Sequence, residues 1–103
     1  MVVAEFSIVP AVGDSLRPYV RAAVSEIEKS GLNYEVGAMG TTLEGELDEV
    51  LEAIKKAHRA VLAKGAGRLV TSIKIDERKD GLSMQGKLAG FRDESHFGGS
   101  RND

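Results

Sequence analysis

The chain has 103 residues, of which 42 % are hydrophobic and 29 % are charged, so it is long enough to form one compact domain with its own core. It contains no cysteine, which excludes disulfide bonds, thiolate metal sites and a cysteine nucleophile. Only 5 % of the residues are aromatic and the net charge is -2, so a base-stacking or phosphate-binding surface for nucleic acid is disfavoured.

The first strand and helix are marked by clear sequence signals. Residues 2–9 are rich in apolar and β-branched side chains and predict a strand. Pro18 is tolerated only in a first helical turn, so a helix is expected to begin near Ser15, capped by Asp14 or Ser15. Gly31 is expected to end this helix in a left-handed conformation.

The remaining elements follow in the order strand, strand, helix, strand. The pattern predicts strands over residues 32–39, 41–44 and 68–76, an amphipathic helix over 46–64, and a short helix over 82–91. The resulting β-α-β-β-α-β order is that of a ferredoxin-like α+β sandwich. We therefore expect a four-stranded antiparallel sheet in the order 4-1-3-2, with both main helices on one face and the other face open.

One domain is predicted over residues 1–91, followed by a polar tail over 92–103 that is expected to be mobile. The N-terminus has no basic segment and Glu5 interrupts its apolar stretch, which argues against a signal peptide. No apolar run approaches the roughly 18 residues of a membrane span. These features favour a cytoplasmic protein that does not partner with a membrane.

Side-chain alternation assigns the strand residues to the two faces of the sheet. The residues expected to pack under the helices are Phe6, Ile8, Tyr34, Val36, Ile73 and Ile75. Those expected on the open face are Val3, Glu5, Ser7, Val9, Glu35, Met39, Val70, Ser72 and Lys74. A half-apolar face that also carries a few carboxylates suits a homo-oligomer interface or a platform for a small ligand.

Three features of the sequence allow both a structural and a functional interpretation. Glu5 lies in the middle of a central strand, where it either pairs with Lys74 across the sheet or contacts a ligand. The small polar segment 40–45 either forms a turn in which Thr42 or Glu44 caps the second helix, or hydrogen-bonds a small ligand. His58 lies on the apolar stripe of the second helix and is predicted to be a core or flanking residue rather than a catalytic one.

Three segments carry a family resemblance: AEFSIVP at 4–10, YEVGAMGTTLEGE at 34–46 and GRLVTSIKIDER at 67–78. They resemble the small thiamine-binding protein family, and the resemblance extends to about residue 91. Its most specific part is Met39-Gly40-Thr41 followed by Glu44-Gly45. The resemblance implies a ferredoxin-like fold, dimers that assemble into tetramers, and binding of thiamine or its hydroxymethylpyrimidine moiety. It implies no established enzymatic activity, and neither a metal nor a further cofactor is expected.

Thiamine carries a permanent thiazolium cation and an aminopyrimidine with hydrogen-bond donor and acceptor edges. A site for it needs a carboxylate, hydroxyl groups and an apolar or thioether wall. The family motif and this chemistry together predict the ligand-binding residues Glu5, Ser7, Tyr34, Met39, Thr41, Thr42 and Glu44. For Tyr34 a position in the core is favoured over a ligand contact, since it aligns with Val36 and Ala38 on its strand.

Other functions occur on the same topology. A small isomerase-like or oxygenase-like enzyme would need a convergent acid–base pair, and the sequence offers only His58 and scattered carboxylates. An RNA-binding domain would need aromatic residues on the first and third strands, where this chain has Glu5 and Ser7 on the first and no aromatic residue on the third. A ligand-sensing regulatory domain is usually attached to an enzyme, which this chain does not contain.

Overall fold

The computed structural model of the chain describes residues 1–11, 13, 15–80 and 83–86. Its elements are β1 (Val2–Pro10), α1 (Arg17–Lys29), β2 (Asn33–Val36), β3 (Thr41–Gly45), α2 (Leu47–Ala63) and β4 (Leu69–Glu77). They form a four-stranded sheet in the order β2-β3-β1-β4, with every neighbouring pair antiparallel. This is the predicted order counted from the opposite edge, so the ferredoxin-like α+β fold is confirmed.

Helix α1 begins slightly later than the sequence predicts. Leu16 is its N-cap and provides no side-chain cap, while the Ser15 hydroxyl accepts a hydrogen bond from the Arg17 N–H at 3.2 Å. Pro18 lies in the first turn, and Gly31 follows the helix with a φ of +76°. Both are the predicted signals, because proline needs no N–H partner there and glycine adopts the left-handed conformation without strain.

The second strand is shorter than predicted and ends at Val36. The chain turns immediately afterwards, and the Gly37 N–H donates to the Gly40 carbonyl at 2.8 Å. Met39 therefore lies in this hairpin turn, not on the open face of the sheet, and its side chain is 86 % exposed. The expectation that Met39 belongs to a strand was wrong because the flanking glycines favour a turn over an extended strand.

The core lies between the sheet and the two helices. The buried residues that form it include Val2, Ala4, Phe6, Ile27, Leu43, Val50, Ile54 and Val61. Strand register places Val36, Ile73 and Ile75 on the same side, but they are 51 %, 42 % and 44 % exposed. The expectation that these three are covered was wrong because the helices pack mainly on the central strands β1 and β3, so parts of the edge strands β2 and β4 stay uncovered.

Past β4, residues 84–86 form a helical turn inside the predicted 82–91 helix. The rest of that predicted helix and the predicted tail at 92–103 lie outside the described residues. Within the described part of the chain, no helix combines the length and the apolar character needed to cross a membrane.

Candidate functional site

The centre of the open face is organised around Glu5. Its direct neighbours across the sheet are Thr42 on β3 and Lys74 on β4. Glu35 on β2 lies opposite Thr42 in turn. Because residues that oppose each other in a sheet project to the same side, these four side chains share one face.

A pocket of about 480 Å³ lies over this part of the sheet. It is lined by Val3, Glu5, Glu35, Thr42, Lys74, Ile75, Asp76 and Met84. Three carboxylates and one ammonium group border it, so its lining is negative overall. Val3 and Met84 add an apolar surface. We call this site the open-face pocket; its charge favours a cation and its apolar surface favours a ring.

Glu5 and Lys74 lie opposite each other, but the structure forms no ion pair between them in the part of the chain it describes. Both side chains are exposed. The interpretation of Glu5 as half of a closed cross-strand pair was therefore wrong. No other described residue occupies its carboxylate with a hydrogen bond, so its oxygens can accept from a ligand.

Glu44 has a different role from the one predicted. Its carboxylate accepts hydrogen bonds from Asn33 Nδ2 and from the Met84 backbone N–H, each at 2.8 Å. The Asn33 bond, and after it the Met84 bond, holds the pKa of Glu44 below its usual value. Capping of α2 by Thr42 or Glu44 was wrong, since the N-cap is Glu46 and it has no side-chain cap. Glu44 instead ties residue 84 to β3 at the rim of the open-face pocket.

We expect Glu44→Gln to lower the free energy of unfolding at pH 7 by about 1 kcal/mol or less, because the charged acceptor is partly exposed. Because the pKa of Glu44 is lowered in the folded state, the carboxylate stabilises the fold at pH values above the ordinary glutamate pKa of about 4.3. This stabilisation is lost as the pH falls through the folded-state pKa. In urea unfolding, the free energies of unfolding of the variant and the wild type should therefore differ at neutral pH and become equal in acid.

Glu28→Gln is the matched control, because Glu28 is exposed on α1 and no other described residue bonds its carboxylate. Hydrogen exchange gives a second measurement: the Met84 amide should exchange faster in Glu44→Ala than in the wild type. An unchanged Met84 exchange rate would contradict the role of Glu44 as a tether.

The other predicted site residues do not join the open-face pocket. Ser7, Met39 and Thr41 line a separate cleft of about 320 Å³ between α1, β1 and the hairpin turn, and Tyr19 lies beside them. Thr41 is buried on the helix side of the sheet. Tyr34 packs against the core, as its alignment with Val36 suggested.

Only some of the seven predicted residues therefore lie at the open-face pocket. Glu5 and Thr42 line the open-face pocket, and Glu44 supports its rim. Sequence reasoning did not select Glu35, Lys74, Asp76 or Met84 as site residues. Strand alternation could have selected the first three, whereas the contact of Met84 with β3 has no signal in the local sequence. Among the described residues, no group of three or more His, Cys, Asp or Glu side chains is placed to hold a metal ion.

Comparisons with known proteins agree with the fold. A sequence model of a family described as thiamine-binding protein matches residues 4–92. The UPF0045 protein MJ1052 of Methanocaldococcus jannaschii is 52 % identical over 80 residues, covering 77 % of this chain and 79 % of the relative. A UPF0045 protein of Methanothermobacter thermautotrophicus is 47 % identical over 83 residues, covering 78 % of this chain and 84 % of the relative.

Solved structures show the same architecture. The crystal structure of MJ1052 has a TM-score of 0.82 at 46 % identity, covering 90 % of this chain and 97 % of that one. A Thermotoga maritima protein thought to act in thiamine biosynthesis or salvage has a TM-score of 0.79 at 32 % identity, covering 88 % and 98 % of the two chains.

Proposed function

We propose that this chain, which belongs to the thiamine-binding protein family, binds thiamine or a related hydroxymethylpyrimidine at the open-face pocket without transforming it. The observation that carries the proposal is the composition of the pocket: three carboxylates surround an apolar surface on the sheet face that α1 and α2 do not cover. The likeness to the Thermotoga protein supports a thiamine-related role.

Each part of the ligand has a matching group in the pocket. The thiazolium ring carries a positive charge that Glu5 and Asp76 would stabilise, and this attraction is modest because the site is exposed to water. The aminopyrimidine offers donors and acceptors that suit the Thr42 hydroxyl and the Glu35 carboxylate. The Met84 thioether would contact a ring face.

Binding without catalysis is favoured by where the one described histidine lies. His58 Nδ1 is 2.7 Å from the Thr71 hydroxyl, on the helix side of the sheet and away from the open-face pocket. Catalysis by proton transfer would need a tuned acid or base within hydrogen-bond reach of the ligand. The groups at the pocket suit recognition of a cation and of a polar ring edge.

We further propose that the site works within a cytoplasmic homo-oligomer, a dimer of dimers, in which another subunit covers the open face. Val9 and Val70 are exposed on that face, opposite each other on β1 and β4. A sheet with one uncovered face gains stability when a partner covers its apolar residues. The pocket is shallow in one chain, so a partner would also exclude water from the bound ligand.

Isothermal titration calorimetry with thiamine tests the proposed function. We expect a saturable heat with up to one ligand per chain, and an increase in the melting temperature with thiamine concentration. Titration with free hydroxymethylpyrimidine and with the thiazole alcohol separates the two halves of the ligand. Absence of both heat and melting shift at millimolar thiamine would overturn the proposal, and a new compound detected by chromatography would overturn its non-enzymatic part.

A further inference from the structure

The charged side chains of the open face gather at one end of it. Two neighbouring rows of cross-strand partners carry them. In order across the sheet these rows are Glu35, Thr42, Glu5 and Lys74, and then Asn33, Glu44, Val3 and Asp76. The partners that follow on this face of β1 and β4 are serines and then valines. The end of the face that holds the open-face pocket is therefore rich in carboxylates, and the other end is uncharged along these two strands.

Lys74 is the only cation among the described residues that line the pocket, and its surroundings do not suit an anion. It lies directly opposite Glu5, and the Cβ atoms of such partners are about 5 Å apart. Asp76 lies two residues further along the same side of β4, at about 7 Å. An anion bound to the Lys74 ammonium would therefore lie close to two carboxylates that repel it.

The next cation along the chain from this end of the face is already bound to a carboxylate. Arg78 follows directly after β4. Its Nε and Nη2 atoms donate to the two carboxylate oxygens of Asp80, each at 3.1 Å. This is the bidentate geometry in which a guanidinium binds a carboxylate or a phosphate. A phosphate could use Arg78 only by displacing Asp80.

We propose that the open-face pocket selects the unphosphorylated vitamin and rejects thiamine monophosphate and thiamine diphosphate. The inference rests on the proposed function and specifies its ligand. Thiamine ends in a two-carbon alcohol arm on the thiazolium ring, and this alcohol is the group that is phosphorylated. One phosphate adds a charge of about -1.5 to -2 at neutral pH, so it reverses the net charge of the ligand.

The short arm makes the phosphate and the thiazolium share one environment. A ligand whose thiazolium lies between Glu5 and Asp76 would place its phosphate near the same carboxylates. The carboxylates that attract the cation therefore repel the phosphate. Selectivity of this kind comes from repulsion of the wrong ligand as well as attraction of the right one.

This selectivity assigns the chain a place relative to two classes of reaction. The ligand that it retains is the alcohol, which a phosphoryl-transfer reaction consumes and which hydrolysis of a phosphate ester supplies. The products of phosphoryl transfer would not compete for the pocket. The chain would therefore hold the vitamin before its phosphorylation, even where the phosphorylated forms are abundant.

Calorimetric titration of the full chain with thiamine and with thiamine monophosphate tests the proposal. We expect the dissociation constant of the monophosphate to be about tenfold higher, and the ratio of the two constants to fall as salt is added. The acetate ester of thiamine is the matched ligand control, because it lengthens the same arm without adding negative charge. It should bind about as tightly as thiamine.

Glu5→Lys tests which residue determines the selectivity. The substitution removes a carboxylate and places a second ammonium beside Lys74. We expect this variant to bind thiamine more weakly than the wild type and thiamine monophosphate more tightly. Glu28→Lys is the matched control, since it makes the same charge change at an exposed position on α1, outside the pocket. It should keep the wild-type ratio, and far-UV circular dichroism verifies that both variants are folded.

The outcomes separate this inference from the proposed function. Equal or tighter binding of the monophosphate by a wild-type chain that also binds thiamine would overturn the inference and leave the proposed function intact. An acetate ester that binds as weakly as the monophosphate would overturn it too, because size and not charge would then decide. A wild-type ratio in Glu5→Lys would also overturn it. Absence of thiamine binding would overturn both the inference and the proposed function.

Discussion

Glu5→Gln is expected to weaken thiamine binding about fivefold, which corresponds to about 1 kcal/mol. The substitution keeps the size of the side chain and removes its charge. Glu5 lies at the centre of the open-face pocket, and no other described residue occupies its carboxylate. The substitution therefore removes the attraction of the Glu5 carboxylate for the thiazolium cation. Calorimetric titration of thiamine into both proteins measures the difference.

Salt gives this prediction a second test. An attraction between exposed charges is screened at high ionic strength. The difference in thiamine affinity between the wild type and Glu5→Gln should therefore become smaller as salt is added. Glu28→Gln serves as the control, because it removes the same charge from an exposed position on α1 outside the pocket. Equal affinity of Glu5→Gln and Glu28→Gln for thiamine would contradict the role assigned to Glu5.

Gly40→Ala is expected to lower the free energy of unfolding by about 1–3 kcal/mol, the usual cost of forcing an added group into a packed site. A Cβ atom at Gly40 would lie 2.8 Å from the Phe6 carbonyl oxygen and 3.3 Å from Glu5 Cγ. The first contact is with backbone, which cannot move without disturbing β1. The second would push the Glu5 side chain, so thiamine binding should weaken as well.

Gly67→Ala is the matched control for this prediction, since a Cβ there meets nothing within 4 Å. It should be neutral or slightly stabilising, because alanine restricts the unfolded chain. Urea unfolding of both variants gives the comparison. A Gly40→Ala protein that is as stable as Gly67→Ala and binds thiamine as tightly as the wild type would contradict this prediction.

Local signals in the sequence were sufficient for the order of the elements. Pro18 marks the beginning of α1 and Gly31 marks its end, and the alternation of Val2, Ala4 and Phe6 identifies the buried face of β1. Those signals depend on each residue's own conformation and polarity. The exposure of Ile73 depends on how far α2 extends across the sheet, which is a tertiary property that alternation alone does not contain.

The candidate site was predictable only in part for the same reason. Glu5 follows from strand parity and Thr42 from the family motif, and the two lie together in the pocket. Met39 and Thr41 lie within three residues of Thr42 in the family motif, but both line the separate cleft: Met39 lies in the hairpin turn, and the side chain of Thr41 projects to the helix side of the sheet. The contact between Met84 and Glu44 joins residues far apart in the chain. Only the folded structure reveals that contact.

Backbone amide NMR during a thiamine titration tests whether the ligand binds at the open-face pocket, because it locates the ligand without any substitution. We expect saturable shifts at the amides of Val3, Glu5, Thr42 and Lys74, which border the open-face pocket. Shifts confined to Tyr19, Met39 and Thr41 would place the ligand in the separate cleft beside α1 and contradict binding at the open-face pocket.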